Sequence, residues 1–407
     1  MDLAIDGGIP VRSDPFSSWP QYGEAEREAI LRVLEDGRWQ RPLSPYSTEG
    51  VTPLFEAEFA EFNGAPAVLG VANGTLALQL ALDLIGIEPG DEVIVPAFMP
   101  IMTANAVRQR GGVPVPVDVD IASFCMAPSA LEAARTERTK AVIPVHLGGQ
   151  LADMEAINQW ADHIGVAVIQ DVAQAHGARW KDRRLGEFGT VATFSFERRK
   201  VMTAGEGGAV LLHDRKLYDQ AFVRQSSGRF PGLPETAASN YRITEFAAAI
   251  LRAQLARLPE QIRHRQHRWR QLTHLMSEIP GIMPRPGDPR CTVDPHSMAF
   301  FLLDPEECGH LPRDVVVRAL SAEGIPAFRA YVPIYQLQAF WDGSSENLPS
   351  KRELSAACPN SEYIAKWGLH MFHPVLLGDV QDVQDIADAF EKVLKGLQER
   401  QIRRPST

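Results

Sequence analysis

Short apolar segments alternate with amphipathic segments between about residues 65 and 215 of the chain. The apolar segments are nearly continuous in hydrophobicity and are flanked by Gly, Pro or Asp, which is typical of strands buried on both faces of a parallel sheet. The segments between them follow the helical period, as in the helix that Asp153 caps and Gly165 ends. The predicted strands are Glu92–Pro96, Val113–Val119, Lys140–His146, Val166–Asp171, Val191–Phe196 and Gly208–His213.

The rest of the chain predicts further helices and a second, smaller domain. An amphipathic helix is expected at Glu24–Asp36, and a long helix at Glu245–Met276 is expected to be interrupted at Pro259 and to link two domains. Short strands and a terminal helix at Val380–Leu397 indicate an α+β fold in the last part of the chain. We therefore predict a large α/β domain with the amino-terminal segment at residues 1–255 and a smaller α+β domain at residues 256–407.

Composition narrows the classes of protein that this chain can belong to. Hydrophobic residues make up 45% and charged residues 23% of the 407 residues, as in folded globular proteins. Asp and Glu outnumber Lys and Arg by 51 to 41, which argues against nucleic acid as a partner. We expect no membrane segment or secretory signal, and hence a cytoplasmic protein. The four cysteines contain no C-x-x-C pair, so neither disulfides nor a metal site is expected.

The first segment that carries chemistry joins an apolar strand end to a helix through Asn73-Gly74-Thr75. Free N–H groups at a helix amino terminus bind phosphate, and the Thr75 hydroxyl adds a donor. A capped helix without a ligand is the alternative for this segment taken by itself.

The second segment places Asp171 where a buried strand ends, at the edge at which open α/β sheets bind ligands. A buried carboxylate is costly unless a cation or hydrogen bonds compensate it, and a pyridinium nitrogen is a suitable cation. Taken alone, Asp171 could equally cap the next turn.

In the third segment a strand ends near Ser195, presents Lys200, and resumes through the glycine-rich turn Gly205–Gly208. An isolated lysine is usually a surface residue. The three segments together, however, supply a phosphate cradle, a partner for a pyridinium and an amine for a Schiff base. Pyridoxal 5'-phosphate needs each of these, so we predict that it is the cofactor.

Several longer motifs resemble one enzyme family. They are "VANGTLALQLAL", "GDEVIVPAF", "QDVAQAHGARW", "FSFERRKVMTAGEGGAV" and "SNYRITEFAAAILRAQLARL". The chain is similar along most of its length to the DegT/DnrJ/EryC1/StrS family of sugar and cyclitol aminotransferases, and within it to aminohydroxybenzoate synthases and scyllo-inosose aminotransferases. The resemblance implies the aspartate aminotransferase-like fold of type I, with a mainly parallel seven-stranded sheet in the large domain and a smaller carboxy-terminal α+β domain.

The resemblance also assigns roles to individual residues. It implies that Lys200 holds the cofactor as a Schiff base and acts as the base, that Asp171 meets the pyridine nitrogen and that Gln174 reaches the ring hydroxyl. The other implied contacts are Ala173 and Phe98 on the two ring faces, Gly74, Thr75 and Ser195 on the phosphate, and Asn240 on the phosphate of a neighbouring subunit. A homodimer with shared active sites follows from the last contact.

The implied reaction moves an amino group from L-glutamine or L-glutamate to a cyclic polyhydroxy ketone, a cyclitol or keto sugar of secondary metabolism. The synthases of the family carry a His where Gln174 stands, and glutamine there resembles the cyclitol aminotransferases. A lyase that dehydrates and aromatises its ring substrate is the alternative, and a non-catalytic cofactor-binding regulator is a third. Glu197, Arg198 and Arg199 depart from the family pattern, as does Met99-Pro100, and these departures leave the substrate open.

Overall fold

The computed structural model describes residues 2–342 and 348–403. The strands are β1 (Ala67–Val71), β2 (Glu92–Pro96), β3 (Val113–Val117), β4 (Thr139–Val142), β5 (Ala167–Asp171), β6 (Arg179–Trp180), β7 (Arg183–Arg184), β8 (Val191–Ser195), β9 (Gly208–Leu212), β10 (Ile282–Pro284), β11 (Cys291–Val293), β12 (Met298–Leu303), β13 (Phe328–Arg329) and β14 (Gly368–Phe372).

The α-helices alternate with these strands. They are α1 (Glu24–Asp36), α2 (Val51–Asn63), α3 (Gly74–Ile85), α4 (Met102–Gln109), α5 (Leu131–Ala134), α6 (Met154–Ile164), α7 (Arg215–Gln225), α8 (Glu245–Met276), α9 (Arg313–Ala322), α10 (Gln338–Trp341), α11 (Lys351–Ala357), α12 (Pro359–Trp367) and α13 (Val380–Arg403). Short 3-10 helices lie at Ala4–Asp6, Pro128–Ala130, Leu147–Gly149, Leu185–Glu187, Ile334–Gln336 and His373–Leu376. In the described part of the chain, no helix has both the length and the hydropathy needed to cross a membrane.

A seven-stranded sheet in the order β1-β9-β8-β5-β4-β2-β3 forms the centre of the fold. Strand β9 is antiparallel to both of its neighbours, and the pairs from β8 to β3 are parallel. Each strand that is predicted from an apolar run is present in this sheet, and its ends differ from the predicted ends by at most a few residues. The predicted fold class, a mainly parallel seven-stranded sheet with crossover helices, is therefore confirmed.

The register of the sheet brings three chain segments together at one edge. Gly208 at the start of β9 pairs with Val71 on one side and with Ser195 on the other. Because β9 is antiparallel to β1 and β8, its first residue lies beside their last residues. Asp171 ends β5, which runs parallel to β8, so it lies at the same edge. The ends of these strands form the floor of the site described below.

Buried residues form two hydrophobic clusters. The first surrounds the central sheet, and the second lies between the four-stranded antiparallel sheet β10-β12-β14-β13 and the helices α9 and α13. Leu3 belongs to the second cluster, so the amino-terminal segment packs on the carboxy-terminal part of the chain. The boundary predicted at residue 255 falls inside the continuous helix α8, and the division into two domains stays a prediction.

The predicted interruption at Pro259 is wrong, because α8 continues through this proline. Proline lacks the N–H that would bond the carbonyl four residues earlier, and its ring crowds that carbonyl. Leu251, Leu255, Leu258 and Ile262, which flank it, are buried, and α1 and α2 pack along this part of the helix. Tertiary packing therefore stabilises the helical conformation against the local preference of the proline.

An ion pair between Arg41 and Glu56 is buried next to β1. The guanidinium donates through Nε and Nη2 to the two carboxylate oxygens at 3.1 and 2.8 Å, and the Gly70 amide donates to the same carboxylate at 2.8 Å. The side chains are 2% and 7% exposed, so water screens this pair little. Removing one partner leaves the other as an uncompensated buried charge.

We therefore expect Glu56→Ala to lower the free energy of unfolding by about 3–5 kcal/mol. Urea denaturation monitored by circular dichroism measures this loss. The matched control is Glu58→Ala in the same helix, because the Glu58–Arg252 pair is 41% and 36% exposed and an exposed pair contributes about 0–1 kcal/mol. Equal losses in the two variants would contradict the assignment of the buried pair as the stabilising one.

Candidate active site

The amino terminus of α3 presents free backbone donors to a cavity. The Asn73 side chain caps the helix by accepting from the Leu76 amide at 2.9 Å, which leaves the Gly74 and Thr75 amides available for a ligand. Both residues line the cavity, as the sequence predicts. The two free amides and the positive end of the helix dipole favour an anion here.

Two glycines allow this helix terminus to approach the sheet closely. A Cβ atom added to Gly74 would lie 2.6 Å from the Cβ of Ser195, and one added to Gly208 would collide with the Asn73 carbonyl. Neither position therefore accepts a larger residue without movement of the backbone. The close approach places Ser195 beside the amino terminus of the helix, and Gly74, Thr75 and Ser195 line the same cavity.

The Asp171 carboxylate lies at the end of β5 and is 6% exposed. Its Oδ2 accepts from the Thr103 hydroxyl at 2.7 Å, and its Oδ1 accepts from the Ala173 amide at 3.1 Å. Burial raises the pKa of Asp171, while these two hydrogen bonds and the nearby charge of Lys200 oppose the rise. A cation that binds in the cavity would stabilise the charged form of this buried carboxylate further.

Lys200 lies in the connection of residues 196–207 that joins the antiparallel neighbours β8 and β9. Its amide donates to the Glu197 carbonyl at 2.9 Å, and the Arg198 amide donates to the Gly205 carbonyl at 3.0 Å, so the loop is a closed turn. Burial lowers the pKa of Lys200, the charges of Asp171 and Glu197 oppose this, and the charge of Arg199 lowers it further. A lowered pKa increases the fraction of neutral amine, which is the form that acts as a nucleophile and as a base.

Gln174 is held at both ends of its amide. Its Oε1 accepts from the Gly148 amide at 2.8 Å, and its Nε2 donates to the Tyr331 hydroxyl at 3.3 Å. The backbone donor fixes which end of the amide is the oxygen. The second N–H of the amide is consequently the group that Gln174 can offer to a ligand in the cavity.

These groups line one cavity of about 640 Å³. The predicted site residues that line it are Gly74, Thr75, Asp171, Ala173, Gln174, Ser195 and Lys200. Strands from distant parts of the sequence bring them together, because each of them lies at or after the end of β1, β5 or β8 at one edge of the sheet.

Two predicted site residues do not line this cavity. Phe98 is fully buried and packs edge-on against Phe124 and Tyr331, with ring centroids 6.1 and 6.0 Å away, whereas Pro100 lines the cavity. Asn240 is exposed on the loop before α8, where its Oδ1 accepts from the Arg242 amide at 3.4 Å. The roles assigned to Phe98 and Asn240 stay predictions.

Sequence reasoning missed Thr103 and Tyr331. Thr103 lies in the first turn of α4 and Tyr331 follows β13, and no local pattern links either residue to Asp171 or Gln174. Asn73, in contrast, belongs to the predicted Asn73-Gly74-Thr75 segment, for which a capped helix is the alternative, and its side chain does cap α3. The contacts of the two missed residues become visible only in the folded chain.

The residues present fit pyridoxal phosphate. The cradle that a Cβ at Gly74 would fill suits its phosphate, the buried Asp171 suits a protonated ring nitrogen, and the free N–H of Gln174 suits a ring oxygen. Lys200 is the amine beside Asp171 in the same cavity.

Comparisons with known proteins agree with this arrangement. The sequence profile of the DegT/DnrJ/EryC1/StrS aminotransferase family matches residues 20–391. A 3-amino-5-hydroxybenzoate synthase of Amycolatopsis mediterranei (strain S699) is 43% identical over 385 residues, which cover 93% of this chain and 97% of that protein. An L-glutamine:2-deoxy-scyllo-inosose aminotransferase of Streptoalloteichus tenebrarius is 36% identical, with 97% of each chain covered. A crystal structure of 3-amino-5-hydroxybenzoic acid synthase superposes with a TM-score of 0.87 at 42% identity, over 95% of this chain and 100% of that chain.

Proposed function

The chain belongs to the DegT/DnrJ/EryC1/StrS aminotransferase family, and we propose that it transfers an amino group from L-glutamine or L-glutamate to a ring ketone, a cyclitol or a keto sugar. Aminotransferases of this family depend on pyridoxal phosphate, so the predicted enzyme class and cofactor are confirmed. The observation that carries the proposal is the buried Asp171 carboxylate at the same cavity as the Lys200 amine and the helix amino terminus of α3.

Pyridoxal phosphate, when bound, supplies an electron-withdrawing ring that takes up the electron pair released at a substrate carbon. We assign to Asp171 the task of keeping the ring nitrogen protonated by its negative charge. Thr103 and the Ala173 amide orient the carboxylate through their hydrogen bonds. Gly74, Thr75 and Ser195 would hold the phosphate, Gln174 would donate to the ring oxygen, and Ala173 would contact the ring.

Lys200 has two tasks in this proposal. Its amine would hold the cofactor, and the same amine, when free, would move a proton at the substrate carbon. Burial supports both tasks, because the lowered pKa of Lys200 leaves more of the amine neutral near pH 7. The connection between β8 and β9 joins neighbouring strands, so it keeps this amine at the edge of the sheet where Asp171 ends β5.

The alternative reaction is dehydration and aromatisation of a ring acid, and the 43% identity to a 3-amino-5-hydroxybenzoate synthase favours it. Gln174 and the similarity to glutamine-dependent cyclitol aminotransferases favour transamination. Both reactions use Lys200 as the base.

We also propose a homodimer in which Asn240 completes the phosphate site of the partner subunit. Asn240 is exposed and lies outside the cavity of its own chain, so it is available to a second copy. Gln40 forms an isolated β-bridge with Thr244, which follows Asn240 in the chain. A few residues after Gln40, the apolar residues Leu43 and Tyr46 are 57% and 54% exposed. Exposed apolar residues that lie near one another on a surface are typical of a subunit interface.

Transamination is tested on the enzyme with bound pyridoxal phosphate, which we expect to be yellow. L-glutamine or L-glutamate is added to it without any ketone. The yellow absorbance should bleach, because the amino group stays on the cofactor when no acceptor is present. Lys200→Ala is the control and should bleach slower by on the order of 10³-fold or more, because it lacks the base. If neither amino acid bleaches the enzyme while an amino-cyclohexenone acid is aromatised, the lyase is the correct function.

The dimer is tested with Leu43→Asp, which places a charge in the proposed interface. Sedimentation should show a shift from dimer to monomer, and the affinity for pyridoxal phosphate should fall because Asn240 of the second subunit is lost. Met283→Asp is the matched control, since Met283 is 44% exposed on β10, away from this segment. A wild-type monomer that binds the cofactor and turns over at full rate would contradict the shared site.

A further inference from the structure

Three fully buried side chains that do not line the active-site cavity carry nitrogen atoms without a regular hydrogen bond. They are Arg265 on α8, His176 after β5 and His373 after β14, and each is 0% exposed. In the described part of the chain, Nη1 and Nη2 of Arg265 and both ring nitrogens of each histidine lack a partner of regular geometry. Buried polar groups in proteins are nearly always hydrogen-bonded, so these three residues require an explanation.

Arg265 and His373 are both bonded to the short segment before β12. The Arg265 Nε donates to the Pro295 carbonyl at 2.7 Å, and the His373 amide donates to the Ser297 carbonyl at 3.2 Å. Burial lowers the pKa of His373 well below its usual value, and the charge of Arg265 lowers it further. The two side chains therefore lie close enough to interact, and His373 is neutral at pH 7.

His176 belongs to the same cluster. The Ser297 hydroxyl donates at 2.6 Å to the carbonyl of Gln174, two residues before His176. Burial lowers the pKa of His176 to about 3, and the charges of Lys200 and Arg265 lower it further. This imidazole is neutral as well, and it lies between the cation of α8 and the amine of the active site.

His176 packs against the end of β8 and the start of the connection that carries Lys200. Its ring centroid lies 5.6 Å from that of Phe194 and 5.5 Å from that of Phe196. The backbone of Ser195, between these two residues, opposes the lowering of the His176 pKa. A backbone carbonyl has this effect when an imidazole N–H points towards it.

His373 packs against the same connection closer to Lys200. Its ring lies edge-on to the Trp19 ring, with centroids 4.4 Å apart, and the Trp19 indole donates to the Arg198 carbonyl at 2.7 Å. The backbone of Arg199 opposes the lowering of the His373 pKa. The two histidines thus contact the connection at both ends of the stretch that leads to Lys200.

Packing alone does not account for Arg265. Among the residues that the structure describes, its guanidinium bonds only to the Pro295 carbonyl. Burial lowers the pKa of Arg265 to about 9, against the opposing charge of Asp294, so the side chain stays cationic at pH 7. Asp294 itself pairs with Arg285 at 3.3 Å. Apolar residues in place of buried charges are often neutral or stabilising, so a buried cation without a bonded carboxylate indicates a role other than stability.

We propose that Arg265, His176 and His373 are positioning residues that hold the connection between β8 and β9 from the side opposite the cavity. Each neutral imidazole presents its N–H to the backbone before Lys200, and Arg265 presents its free N–H groups to the remaining ring nitrogens, which fixes one tautomer of each histidine. The cluster thereby keeps the Lys200 amine buried at the cavity. The inference rests on the proposed function only for the use that the enzyme makes of this amine.

The test measures the pH profile of Lys200 in the apoprotein. Competitive acetylation with acetic anhydride at a series of pH values, read by mass spectrometry, gives the midpoint at which an amine becomes reactive. Arg265→Met removes the guanidinium, and His373→Phe keeps an aromatic ring without its nitrogens. In both variants the Lys200 midpoint should rise by about half a pH unit or more, because a loosened connection lets water solvate the charged amine.

Stability and a matched control separate positioning from packing. The urea midpoint of Arg265→Met and of His373→Phe should stay the same or rise, because each replaces an unpartnered buried polar group by an apolar one. Arg263→Met is the control, since Arg263 is an exposed arginine of the same helix, and the exposed Lys140 is the internal reference for acetylation. Neither should show a changed profile. The charged side chains that act on Lys200 are the same in every variant: Asp171, Glu197 and Arg199.

His373→Phe removes no charge, so it also separates positioning from the loss of a nearby cation. A rise in Arg265→Met without one in His373→Phe would assign the effect to the charge of Arg265 and overturn the inference. An unchanged Lys200 midpoint in both variants, with or without a loss of stability, would overturn it as well. Should Arg265→Met not fold, His373→Phe decides the question by itself.

Failure of the proposed function gives a different result. Acetylation of the apoprotein uses neither cofactor nor substrate, so the rise in the Lys200 midpoint would persist in an enzyme that L-glutamine does not bleach.

Discussion

The site depends on the burial of one carboxylate beside one amine. Asp171 is buried at the end of β5, where a charged group loses the solvation of water and keeps only two hydrogen bonds, from Thr103 and the Ala173 amide. Burial raises the pKa of Asp171 and lowers that of Lys200, so each favours its neutral form more than it would in water. A cationic ring nitrogen placed against Asp171 would offset this cost, and the buried carboxylate therefore favours binding of the cofactor.

The topology of the sheet explains why these groups meet. A crossover connection carries the chain to the opposite edge of the sheet. The connection of residues 196–207 instead joins neighbouring antiparallel strands at one edge, so it keeps Lys200 near the end of β8. Strand β9 also places Gly208 between Val71 and Ser195, and so allows the amino terminus of α3 to approach. One reversal of strand direction thus positions both the amine and the phosphate cradle.

The sequence predicts the parts of the fold that depend on local patterns. The apolar strands, the caps at Asp153 and Gly165 and the three chemical segments are visible because period, capping and strand ends are short-range properties. Thr103 and Tyr331 escape such reasoning, since each acts through a residue far away in the sequence. The continuity of α8 through Pro259 escapes it as well, because tertiary packing, and not propensity, decides the outcome.

The central claim is that the negative charge of Asp171 holds the ring nitrogen of the cofactor protonated. The direct measurement is the ¹⁵N chemical shift of pyridoxal phosphate labelled at that nitrogen, bound to wild-type enzyme and to Asp171→Asn at pH 8. The nitrogen should be protonated in the wild type and unprotonated in the variant, which keeps the shape of the side chain but loses its charge. A nitrogen that stays protonated in Asp171→Asn would contradict the claim.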